Sequence, residues 1–75
     1  MTVDQLRAAR EASPFRPFTI HLANGRSFRV QHRDYLSMSP NGRTVIVYQA
    51  DDAFNILDLH LVTELAIEAA AAPTT

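Results

Sequence analysis

Between Phe18 and Val30 the chain reads FTIHLANGRSFRV, two alternating apolar runs around Asn24-Gly25. No other stretch restricts the fold as much, because alternation at period two fixes which side chains share a sheet face. A two-residue Asn-Gly loop is the commonest hairpin signal. Here it would pair Ile20 with Arg29 and Phe18 with Gln31, placing the apolar rows on opposite faces. A three-residue loop, Ala23-Asn24-Gly25, instead pairs Leu22 with Arg26, Ile20 with Phe28 and Phe18 with Val30. All five apolar side chains then lie on one face, so the sequence predicts a type I turn with Gly25 left-handed in a bulge. The opposite face carries Thr19, His21, Ser27, Arg29, Gln31 and Arg33.

The flanking segments extend this reading. TVDQLRAAREAS reads as a short amphipathic helix, with Thr2 as N-cap, Asp4 in the first turn and Gln5 at the capping-box position. Its apolar stripe is thin, so it needs a partner surface. Pro14 and Pro17 end it, and Phe15 and Phe18 anchor the extended linker on the core. HRDYLSMSPNGRTVIVYQ reads as a second hairpin around Ser39-Pro40-Asn41-Gly42, a type I turn with proline second and glycine fourth. Its arm TVIVY is apolar on both faces, which implies cover on both sides or pairing with another chain. QADDAF is a polar turn. The segment NILDLHLVTELAIE fits strand by alternation and helix by the spacing of Leu61, Glu64, Leu65 and Glu68. β-Branched content favours strand, and in the helical alternative Asp58 is the cap. The order, a short helix and about five antiparallel strands, predicts an α+β, mostly β domain over residues 1–68. Its architecture would be a bent sheet or small Sm/SH3-like barrel, with a frayed tail at 69–75.

A chain of 75 residues without cysteine has no disulfide to staple a small core, and oligomerisation is the remaining common remedy. No run reaches the roughly 20 apolar residues of a spanning helix, and no signal peptide is evident, so the expectation is a cytoplasmic protein away from membranes. The net charge is −1, but the charges are segregated. Seven arginines face Asp4, Glu11 and Asp34 in residues 1–43, giving +4; Asp51, Asp52, Asp58, Glu64 and Glu68 make the remainder −5. This pattern fits an anion-binding patch, self-complementary packing between subunits, or charges dispersed on folding.

The layout then resembles the Sm-like (Hfq-like) family, whose bacterial members chaperone RNA. Leu22-Ala23-Asn24-Gly25 is similar to the L-x-N-G that ends an Sm strand, and His60-Leu61-Val62-Thr63 is loosely similar to a late histidine segment. The chain also resembles small bacterial proteins built on PFRPF-x-[IL]-H-L-x-[DN]-G-R, over about residues 3–67, which carry no known activity. It departs from the Sm pattern at three places. Val30 stands near the usual mid-strand glycine, the Gly25–Asp34 spacing is short, and Leu59 replaces the lysine beside the histidine. The resemblance implies a small β-barrel and, more distantly, a ring that binds RNA or DNA.

Candidate chemistry is sparse. His32 and Asp34 would share a strand face near Ser27, Ser37 and Ser39, but a polar strand end explains them as well. Asp51-Asp52 offers too few ligands for a hard cation. Neither a nucleophile elbow nor a glycine-rich phosphate loop is present, and nothing points to a cofactor, a metal or a small-molecule substrate. The sequence therefore predicts a non-enzymatic interaction module that self-associates through strand edges. Its seam would involve Val45, Val47, Tyr48, Leu57 and Leu59. The alternative is a nucleic-acid-binding ring using Arg26, Arg29, Arg33 and His60.

Overall fold

Capping decides where the first element begins. In the computed structural model, which describes residues 2–69, helix α1 spans Val3–Glu11 behind a complete capping box. Gln5 N donates to Thr2 Oγ1 at 3.3 Å, and Thr2 N donates to Gln5 Oε1 at 3.1 Å. Its buried stripe is narrow, Leu6 and Ala9, as the spacing predicts. Two arginines compensate. Arg10 Nε donates to the Leu36 carbonyl at 3.0 Å, and Arg33 donates to the Ala12 carbonyl at 2.9 Å. Both tie the C-terminal end of α1 to the rest of the domain, where a thin apolar stripe alone binds weakly. Phe15 then packs on the core and meets Phe18 ring to ring at 5.9 Å.

Six antiparallel strands follow, one more than the sequence reading counts. β1 (Phe18–Leu22), β2 (Ser27–Val30) and β6 (Val62–Ile67) form one sheet in the order β2-β1-β6. β3 (Leu36–Met38), β4 (Thr44–Tyr48) and β5 (Phe54–Asp58) form the other in sequence order. Among the described residues no ladder joins the two sheets, so the barrel is not closed by hydrogen bonds. The strand expected to start at His32 is interrupted: Arg33–Tyr35 is a 3-10 turn. This separates β2 from β3 and removes the His32–Asp34 strand pairing. His32 instead lies edge-on to Tyr35, centroids 5.8 Å apart.

The first hairpin has the register that face matching requires. Phe18 pairs with Val30 and Ile20 with Phe28, and Leu22 N donates to the Arg26 carbonyl at 2.9 Å. Gly25 is left-handed (φ 89°) and donates to the Leu22 carbonyl. The second turn repeats the device: Gly42 (φ 74°) donates to the Ser39 carbonyl, and Asn41 Oδ1 accepts from Arg43 N as Asn24 Oδ1 does from Arg26 N. The β4–β5 turn does so a third time. There Asp51 Oδ1 accepts from Ala53 N, and Asp52 occupies the left-handed position (φ 70°).

The final segment resolves as strand, preceded by a 3-10 turn at Leu59–Leu61 that Asp58 caps through His60 N at 2.9 Å. A bulge makes β6 fit the core. Leu22 pairs with Val62 but His21 pairs with Glu64, so Thr63 is the extra residue. Simple alternation would put Val62 on the Glu64 face; the bulge returns it to the side of Leu65 and lets both pack inward. Thr63 Oγ1 donates to the His21 carbonyl at 3.2 Å. The core between the sheets and α1 centres on Leu6, Phe18, Ile20, Leu36, Val45 and Val47, each 0–1% exposed. The tail expected at 69–75 lies, apart from Ala69, outside the described residues.

Candidate interaction surface

The candidate arginines occupy separate places. Arg26 shares the inner-face parity of Phe28 and lies at the rim of the core, its guanidinium 5.0 Å from the Phe28 ring centre. Arg29 lies on the opposite, outer face. It reaches across β1 to Glu68 in a two-pronged ion pair, Nε to Oε2 at 2.8 Å and Nη2 to Oε1 at 3.2 Å. Arg33 bonds the Ala12 carbonyl and lies 5.7 Å from the centre of the Phe15 ring. These three residues do not line one basic groove. Two of them have partners within the fold, and Glu64 and Glu68 share the outer face with Arg29. Glu68 falls below its ordinary carboxyl range, first because it accepts from Arg29, and the same contact raises Arg29. His60 is exposed on the 3-10 turn, which the first hairpin loop reaches through Ala23 N to the Leu61 carbonyl at 2.8 Å. Arg26 and His60 thus sit on joined turns.

The seam residues need a correction of face. Val45, Val47, Leu57 and Leu59 are core, 0–6% exposed, and make no surface. Their strands present the other parity outward: Tyr48 is 40% exposed, Phe54 56% and Ile56 65%. Cross-strand pairing sets Tyr48 beside Phe54 and Ile46 beside Ile56, so four apolar side chains form one outer patch of the β3-β4-β5 sheet. The Tyr48 and Phe54 rings lie 6.2 Å apart.

β5 is also an edge strand. Gln49 N donates to the Ala53 carbonyl, so with pairs Val47–Asn55 and Val45–Leu57 the odd-numbered residues exchange the ladder bonds with β4. Alternation turns the N–H and C=O groups of Phe54 and Ile56, and the N–H of Asp58, to the open side. The FNILD edge has no lysine, proline or bulge, the usual features that block edge pairing. A concavity opens at each end of it. At the β4–β5 turn about 550 Å³ is lined by Asp34, Tyr35, Tyr48, Asp52 and Phe54 among others. At the far end about 440 Å³ is lined by Asn41, Arg43, Thr44, Ile56, Leu57 and Asp58. The first is aromatic and acidic; the second contains the Arg43 guanidinium, which has no carboxylate within 4.0 Å among the described residues.

The five residues named for the seam do not include Phe54 and Ile56, although a signal existed. Thr44 and Asp58 are polar at the same parity as Ile46, Tyr48, Phe54 and Ile56, and they mark that parity as the outward one. Comparison with known proteins adds nothing to this geometry: no family model, curated protein or solved structure matches the chain. Among the described residues no helix is long and apolar enough to cross a membrane.

Proposed function

We propose that this chain is a non-enzymatic interaction module that self-associates through strand edges, with β5 as the principal edge. The observation that carries this reading is the coincidence, on one strand, of unpaired backbone groups with the exposed side chains of Phe54 and Ile56. Exposed, unblocked edges of this kind template strand addition. A domain of this size also gains most from burying more surface. Sedimentation velocity over a wide concentration range tests it. An oligomer that dissociates on Ile56→Lys is the expected result, and a wild-type chain that stays monomeric throughout rejects the reading.

A second reading, a nucleic-acid-binding ring of the Sm-like kind, draws support from Arg26 and His60 on the joined turns. Fluorescence anisotropy with single-stranded RNA at low and high salt separates the two. Binding that weakens with salt and with Arg26→Ala favours the nucleic-acid role. Absence of binding at low salt removes it.

A further inference from the structure

We infer that two copies of this chain pair β5 to β5 across a two-fold axis centred on Ile56, and that Arg43 of each copy enters the aromatic and acidic cleft of the other. The inference rests on the self-association reading and specifies its geometry.

Three observations lead to this arrangement. First, the outward hydrogen-bonding groups belong to even-numbered residues, so an antiparallel two-fold must pair even residues with even ones and therefore centre on a residue rather than between two. Ile56 is the midpoint of Phe54–Asp58 and the only choice that pairs the whole strand. Phe54 then faces the partner's Asp58, and Ile56 faces its own copy. Second, Ile56 is the most exposed of the large apolar side chains among the described residues. Placed on the axis it meets its symmetry mate, and the Ile46–Ile56 pair of each copy joins into one apolar row across a continuous six-stranded sheet. Third, the two concavities lie at opposite ends of β5, one aromatic and acidic, the other lined by Arg43 beside Asp58. A two-fold reverses the strand and so brings Arg43, at one end, against Tyr48, Phe54 and Asp52 at the other end of its partner. A guanidinium suits that cleft, because aromatic faces and carboxylates both attract it. The contact occurs twice by symmetry. An isologous interface also closes, whereas head-to-tail edge pairing continues into rings or filaments.

The absence of native cysteine makes the test clean. In a hydrogen-bonded antiparallel pair the facing Cα atoms are about 5.5 Å apart, within disulfide range. Ile56→Cys is therefore expected to form a covalent dimer under mild oxidation, far faster than Leu61→Cys, an exposed position off the strand. Adding Arg43→Glu to the Ile56→Cys chain should weaken the dimer about tenfold, from two lost surface ion pairs. Native mass spectrometry of the unmodified protein runs alongside. If the wild type associates but Ile56→Cys crosslinks no faster than Leu61→Cys, the two-fold pairing is overturned and self-association survives. If Arg43→Glu changes nothing, the placement of Arg43 is overturned. A monomeric wild type overturns both this arrangement and the reading beneath it.

Discussion

The two glycines do different work. Gly25 and Gly42 are both left-handed, but a Cβ on Gly25 would meet nothing within 4 Å, whereas one on Gly42 would lie 2.6 Å from Val3 Cγ2 and 2.7 Å from Val3 Cβ. The second hairpin turn is pressed against the start of α1, and only a residue without a side chain fits there. Gly25→Ala should therefore cost only the backbone penalty, about 1–2 kcal/mol. Gly42→Ala adds an overpacking cost against Val3, bringing the loss to about 3 kcal/mol. Urea unfolding of the two variants checks this; equal losses would show that the Val3 contact relaxes freely. Asp52 holds the same left-handed position in the third turn without glycine, using the Asp51 carboxylate to fasten the loop.

At the level of elements, the sheet of β2, β1 and β6 is tied across its outer face by Arg29 and Glu68, which belong to its two edge strands or their ends. Both side chains are about half exposed, so salt should weaken the pair. Glu68 is depressed below its ordinary value of 4.5. A carboxylate depressed in the folded state stabilises above its unfolded pKa, and that contribution is lost as pH falls through the folded one. Stability should therefore drop on acidification below about pH 4.5, and Glu68→Gln should flatten that part of the profile. Chemical denaturation of both proteins from neutral to acidic pH measures it; parallel profiles would count against the pair. How much of these elements the sequence revealed follows from how local their causes are. The capping box, the three-residue loop and the Ser39–Gly42 turn depend on neighbours in the chain, and alternation alone fixes the register of β1 and β2. Arg29 was legible as an outer-face residue, but its partner Glu68 lies 39 positions away. The Thr63 bulge was hidden for the same reason: it answers the fixed register of β1, not anything within β6. Val45 and Val47 were placed at the seam, on the wrong parity, while Tyr48 was placed on the right one, because TVIVY is apolar on both faces and only assembly against α1 and β1 decides which face becomes core.

For the whole molecule, the question is whether one copy is a complete folding unit. The core uses one parity of β4 and β5, and the other parity leaves Phe54 and Ile56 in water. If association covers them, folding and assembly are linked, and stability must depend on concentration. For a folded dimer unfolding to two chains, each tenfold rise in protein adds about 0.7 kcal/mol per chain. In a domain of this size that raises the thermal midpoint by roughly 3–6 °C. Ile56→Lys changes a side chain that is 65% exposed in the single copy, so it should leave the isolated fold intact while placing a charge on the open edge. Differential scanning calorimetry at several concentrations therefore has a sharp expected outcome: a rising midpoint for the wild type and a constant one for Ile56→Lys. A wild-type midpoint that does not move with concentration would mean that α1 and the two sheets suffice alone, and that the exposed β5 edge serves a partner other than this chain.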